Sequence, residues 1–131
     1  MKVLSLKEPF ATLIKDKVKF IETRSWKTKY RGELYIHASL SKVSKNQLRN
    51  PEILNFVKSN YNYGFIICKV KLVDCIEMTE DFIKEIKKNN IEYLCGEYSI
   101  GRYAWILDDI EVLDKPIKVK GHLGIWNYEG D

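Results

Sequence analysis

The chain has 131 residues, 45% hydrophobic and 31% charged, with seven Gly and three Pro, which is the size and composition of one globular domain with its own core. No apolar run reaches the length of a membrane-spanning helix, and Lys2, Lys7, Glu8 and Lys15 interrupt the stretch where a signal peptide would need an apolar segment. The net charge of +4 conceals an asymmetry: residues 1–50 hold 12 Lys or Arg against 4 Asp or Glu, and residues 51–131 hold 10 against 14. Cys68, Cys75 and Cys95 are an odd number without a CxxC spacing, as expected of free thiols in a reducing cytoplasm. With only His37 and His122 to assist them, neither a metal site nor a cofactor is expected.

Lys2–Leu6 reads as a short strand. Glu8-Pro9 opens a helix to about Lys15, with Pro9 in the first turn and Phe10, Leu13 and Ile14 on one face. Val18–Arg24 and Glu33–Ser39 are predicted strands, joined by a polar loop around Lys27–Arg31 that ends at Gly32. In the second of them Leu34, Ile36 and Ala38 face one way and Tyr35, His37 and Ser39 the other. Ser44-x-x-Gln47 is a capping-box start for a helix that breaks at Pro51 and resumes to about Lys58. Gly64 precedes a long strand, Phe65–Glu77, with Ile66, Cys68, Val70, Leu72, Asp74 and Ile76 on one face. Thr79 caps a short helix whose apolar stripe is Phe82, Ile83 and Ile86. After a loop through Gly96 and Gly101 come strands Arg102–Leu107, about Ile110–Leu113 and His122–Trp126. About six or seven strands with helices inserted between them do not make a βαβ rhythm. One α+β domain over residues 1–131 is expected, a small mixed, mostly antiparallel β-barrel with peripheral helices.

The most informative segment runs from Lys17 to Trp26. Val18, Phe20, Glu22, Arg24 and Trp26 share one parity, so a regular strand would set a carboxylate and a guanidinium among apolar side chains. Burying those charges is costly unless they pair or line a wet cleft. Either a Glu22–Arg24 pair closes an exposed strand, or the segment lines a functional cleft beside Lys19, Lys27, Lys29 and Arg31. Lys19 and Glu22 have opposite parity, so both reach one cleft only if the strand begins after Lys19 or carries a bulge. Trp26, just before the basic loop, is the aromatic expected to contact a ligand, whereas Trp105 and Trp126 sit in regular strands and read as core. Asp74 either caps its strand at the barrel rim or lines the cleft.

Lys19-x-x-Glu22-x-Arg24-Ser25-Trp26, Tyr30-Arg31-Gly32-x-Leu34-x-Ile36-His37-Ala38-Ser39, Gly101-Arg102-Tyr103-Ala104-Trp105-x-Leu107 and Lys120-Gly121-His122-Leu123-Gly124-Ile125-Trp126 together resemble an ASCH domain, the activating signal cointegrator homology module of the PUA-like superfamily of small β-barrels. The resemblance covers essentially the full length. Family members usually carry Gly-x-Lys-x-x-Glu-x-Arg, and here Lys17 stands where the glycine is expected. The resemblance implies a cleft between the barrel and its first helix lined by Lys19, Glu22 and Arg24, and an association with RNA or other nucleic acid. Some members are amidohydrolases acting on acylated cytidine, and ribonuclease activity belongs to others. In the amidohydrolases a threonine nucleophile stands three positions after the lysine. Here that position is Glu22, so that mechanism does not transfer, and Thr23 is expected on the opposite side of the strand. Glu80 or Glu85 is the loose counterpart of the family's further catalytic acid.

Nucleic-acid or nucleotide binding is therefore the first reading, through Lys19, Glu22, Arg24, Trp26, Lys27, Lys29 and Arg31, with RNA or a nucleotide-like small molecule as partner and no membrane. Two alternatives stay open. One is a small hydrolase of a modified nucleoside or RNA, with Glu22 as general base and Lys19 stabilising an oxyanion. The other is a protein-interaction regulatory module. His37 and His122 read as structural.

Overall fold

The computed structural model describes residues 1–130. Its strands are β1 (Lys2–Leu6), β2 (Ile21–Arg24), β3 (Gly32–Ala38), β4 (Phe65–Glu77), β5 (Tyr103–Lys118) and β6 (Ile125–Asn127). Short helices α1 (Phe10–Lys15), α2 (Glu80–Ile86) and α3 (Asn90–Leu94) fall between them. The strands form one sheet in the order β2-β5-β4-β3-β1-β6, antiparallel at every pairing except the parallel β1–β3 contact. The two longest, β4 and β5, shift register three times along their shared edge, and each such bulge bends and twists the ladder. The sheet curls into a half-barrel, the mixed, mostly antiparallel α+β architecture that the sequence predicts. Among the described residues no helix is long and apolar enough to cross a membrane.

The core lies between the sheet and α1. Leu4, Leu6, Leu34, Ile36, Val70, Leu72 and Trp105 pack with Ala11 and Ile14 of the helix, while Leu13 on the helix's far side packs with Ile53 and Cys95. Helix α1 is thus buried on two sides, and its first turn is satisfied internally. The buried Glu8 carboxylate accepts from Thr12 N at 2.8 Å and from the Thr12 hydroxyl at 2.5 Å, satisfying an otherwise orphan donor.

Four local expectations are corrected. The strand predicted over Val18–Arg24 begins only at Ile21. The helix predicted from Ser44 is two 3₁₀ segments, Lys45–Gln47 and Pro51–Phe56, and Ser44 makes no side-chain cap bond. Proline disfavours helical geometry in the residue before it, and Asn50 sits at φ −127°, ψ 82°. The two strands predicted around Asp108-Asp109 are one, because Asp109 takes φ +49° and is absorbed within β5. Finally, α3 was not expected; its N-cap is Asn89, whose side chain accepts from Glu92 N.

The residues after α1 decide where β2 starts. Lys17 N donates to Ile14 O at 3.0 Å and Val18 N to Leu13 O at 3.0 Å, the paired bonds of a Schellman helix ending. Its pivot residue must be left-handed, and Lys17 takes φ +61°, a conformation costly for a residue with a Cβ. This is the position where the ASCH signature has glycine. Lys17→Gly is therefore expected to raise unfolding stability by about 0.5–1 kcal/mol, measured by urea denaturation at constant m value.

Candidate ligand cleft

Because β2 starts at Ile21, the chain before it is free of strand parity, and Lys19 turns inward. Its side chain is 1% exposed. Nζ donates to Ile21 O at 2.6 Å and to Cys95 O at 2.7 Å, and lies 3.6 Å from Glu22 Oε1. Two of the ammonium protons therefore have carbonyl acceptors, and the charge is paired with Glu22. Glu22 is only 12% exposed, and its other oxygen faces Arg24 Nε at 3.4 Å. Arg24 Nη2 donates to Ser5 O at 3.2 Å, and its guanidinium lies 5.9 Å from the Trp105 ring centroid. Lys19, Glu22 and Arg24 thus form one continuous ionic row.

A second carboxylate supports the row from below. Glu92 of α3 accepts from Phe20 N at 2.8 Å and from Ile21 N at 3.3 Å, so it holds the first residues of β2 in place. Burial pushes its pKa above the ordinary 4.5, opposed by Lys19 and by the two backbone donors. Glu8 is raised likewise, mainly by burial. Burial also pushes the Cys95 thiol up to about 11 and Cys68 up to about 12, so both remain protonated thiols at neutral pH.

Two cavities flank Glu22. The larger, of about 740 Å³, is a cleft whose walls include Lys7, Arg24, Trp26, Arg102, Lys120 and His122. The smaller, of about 570 Å³, is a groove between α1 and the 46–50 and 94–97 segments. Phe10, Glu22 and Thr23 belong to both. Contrary to the parity expectation, Thr23 therefore borders the same space as Glu22, and its hydroxyl accepts from Glu97 N at 3.1 Å. Trp26 is 38% exposed and packs edge-on against buried Trp105, with centroids 4.7 Å apart. Two buried polar atoms at the cleft, Arg24 Nε and Ser39 Oγ, have no hydrogen-bond partner among the described residues.

The seven residues singled out by the sequence do not converge on one place. Lys19 is at the groove floor, Glu22 on the saddle between the cavities, and Arg24 and Trp26 in the cleft. Lys27 and Lys29 are exposed and border neither cavity. Arg31 is tied into its own loop through Thr28 O and Tyr30 O, and lies 3.6 Å from Asp74. Asp74 is accordingly at the rim. Glu80 and Glu85 are exposed on α2 and border neither cavity, Glu85 pairing with Lys88. The acids that do approach the site, Glu92 and Glu97, carried no sequence signal beyond the Asn89 cap that places α3.

His37 is buried in the cleft wall. Its Nε2 faces Val119 O at 2.7 Å, and a carbonyl only accepts, so Nε2 carries the proton and Nδ1 accepts from the Ser5 hydroxyl at 3.0 Å. Ser5 Oγ in turn accepts from Trp126 Nε1 at 3.0 Å. This network fixes the 119–124 segment as a cleft wall. Gly121 passes so near that an added Cβ would stand 2.7 Å from Ser5 Oγ and 2.8 Å from the His37 ring.

A half-barrel with an ionic row on its edge strand, opening into a basic, aromatic-flanked cleft beside the first helix, defines a small α+β domain of the barrel class. A model of the ASCH domain matches residues 4–117, and the chain belongs to the ASCH domain family. It is similar to activating signal cointegrator 1 of Homo sapiens, 25% identical over 136 residues, an alignment that covers 96% of this chain and 22% of the human protein. The chain thus spans about a fifth of the length of that relative.

Two outcomes are expected. Lys19→Met removes a buried cation and leaves carboxylates uncompensated, which costs about 3–5 kcal/mol of stability, whereas Lys27→Met on the exposed loop changes it by less than about 0.5 kcal/mol; paired urea titrations distinguish them. The raised Glu92 pKa means that the folded state holds its proton more tightly than the unfolded state. Its stabilising contribution is full below the unfolded value near 4.5 and declines as pH rises from there through the folded value. The stability of the wild-type protein relative to Glu92→Gln should therefore fall over that window, read from chemical denaturation at a series of pH values.

Proposed function

We propose that this domain binds single-stranded nucleic acid, RNA in the first instance, with phosphate seated in the larger cleft. The observation that carries this reading is the cleft's charge: of the cations in its lining, Arg24 pairs with Glu22 and Arg102 with Glu97, while Lys7 and Lys120 have no ion-pair partner among the described residues. Its volume of about 740 Å³ suits a nucleotide-sized group. Trp26, 38% exposed, stands at its border as an aromatic on which a base can stack. Ser39 Oγ makes no hydrogen bond among the described residues, and a phosphate or carbonyl oxygen would accept from it. Lys27 and Lys29 extend the basic surface beyond Trp26.

Binding is favoured over hydrolysis by the state of Lys19. Two of its protons are held by backbone carbonyls, its charge is paired with Glu22, and it is only 1% exposed, so it is committed to the fold rather than offered to a substrate oxyanion. Lys19 acts as a positioning residue that sets Glu22 and, through it, Arg24. Acylcytidine presented to the purified protein should accordingly stay intact, and rapid deacylation that disappears on Glu22→Ala would overturn this assignment.

The test of binding is fluorescence anisotropy with a labelled single-stranded RNA across several salt concentrations. Three neutralised phosphates give a slope of log K against log salt near −2 (roughly 0.7 per phosphate). Replacing Lys7 and Lys120 together with alanine should flatten it by about 1.4 if both contact phosphate. Trp26→Ala should cost about 1–3 kcal/mol and leave the slope alone, because stacking releases no counterions. Absence of binding at low salt, or an affinity indifferent to salt and to the double substitution, would sink the proposal.

A further inference from the structure

The two cavities differ in charge as well as size. The cleft carries four cations and one carboxylate, whereas the groove carries Lys19 and Arg49 against Glu22 and Glu97 and is formally neutral. Lys19 is internally neutralised, and Arg49 Nη2 holds Glu97 Oε1 at 2.6 Å while the other Glu97 oxygen pairs with Arg102, so neither cation of the groove is unpaired. What it does present are carboxamides: exposed Asn46 and Gln47, and Asn50, which donates to Leu94 O at 3.1 Å and keeps its own carbonyl oxygen available. Apolar floor comes from Phe10, Leu48 and Ile53. Paired amide donors and acceptors above an apolar floor suit an uncharged heterocycle with hydrogen-bonding edges.

No wall separates the cavities, since Phe10, Glu22 and Thr23 border both. The Glu22 carboxylate on that saddle, flanked by Lys19 and Arg24, is an acceptor for an amine or hydroxyl. We infer that the ligand crosses the saddle: a single strand places its phosphates in the cleft and one neighbouring nucleoside in the groove, where Asn46, Gln47 and Asn50 read its base edge. This rests on the proposed nucleic-acid binding and adds a second subsite to it. The recognised unit is then at least a dinucleotide with a base preference at one position.

The experiment measures wild-type protein and the Asn46→Ala/Gln47→Ala double variant against 5′-labelled RNAs of one to six nucleotides with each base in turn. Going from one to two or three nucleotides should tighten wild-type binding by roughly tenfold or more, with a preference among bases. The double variant should lose both the gain and the preference while keeping the salt slope, because the groove contacts no phosphate. Lys120→Ala should do the reverse, flattening the slope without altering base preference. Oligonucleotide binding with a normal salt slope but with length gain and base preference unchanged in the double variant overturns the groove subsite and leaves cleft binding standing. A free nucleoside that binds as tightly as the oligonucleotides also overturns the crossing strand. No binding at any length in low salt removes the underlying reading itself.

Discussion

A buried ammonium organises this domain. With Lys19 only 1% exposed, its charge is stable only if nearby groups replace water completely. The fold meets that requirement with Ile21 O on β2, Cys95 O after α3 and the Glu22 carboxylate. The Cys95 acceptor lies 76 residues from Lys19 in sequence, so satisfying one cation draws an edge strand and a helix C-terminus together. Glu92 reinforces the same junction through the amides of Phe20 and Ile21. A buried ion pair is a weak source of net stability but penalises every arrangement in which one partner is missing. Its role here is to fix where Glu22 and Arg24 sit.

From that point the site follows. Glu22, held on one side by Lys19, holds Arg24 on the other, and Arg24 reaches across to the β1 carbonyl of Ser5. The opposite wall is fixed by a separate network, in which Trp126, Ser5 and His37 pass hydrogen bonds to the Val119 carbonyl. The 119–124 segment is thereby anchored at Val119, and Leu123, 99% exposed, stands farther along it beside the cleft opening. Two more bonds tie the groove side: Glu97 joins Arg49 to Arg102, one oxygen to each. That carboxylate touches an arginine of each cavity, which couples the cleft to the groove.

Much of the fold was legible because it rests on local rules. Lys2–Leu6 and Phe65–Glu77 have the predicted bounds, since alternation and a leading glycine act within a few residues. The Thr79 cap on α2 forms as its sequence implies, with the hydroxyl accepting from Phe82 N at 3.1 Å. Ser44-x-x-Gln47 had the same kind of signature and formed no cap, because Pro51 and the packing of Leu48 and Ile53 against Leu13 and α1 prevailed over the local preference. Simple parity also failed along β4, where Ile67 joins Cys68 in the main core while Ile66 packs with Val3 and Trp126. A register shift between Ile66 and Cys68 accounts for this.

The sequence by itself determined the class of fold, the family and the charged segment from Lys19 to Trp26, because these depend on residue type and short spacing. It did not determine which of those charges face a ligand. The basic loop Lys27–Arg31 and the motif lysine looked equivalent as charges, yet the first stands outside both cavities and the second is buried beneath them. Only the tertiary structure could separate them, since burial depends on what packs from elsewhere in the chain. Glu92, Glu97, Arg102 and Lys120 lie far from the motif in sequence and reach the site through α3, its following loop and the ends of β5. The left-handed turn at Lys17 released β2 from its expected start and so turned Lys19 inward, a consequence of backbone geometry that alternation along a strand cannot express.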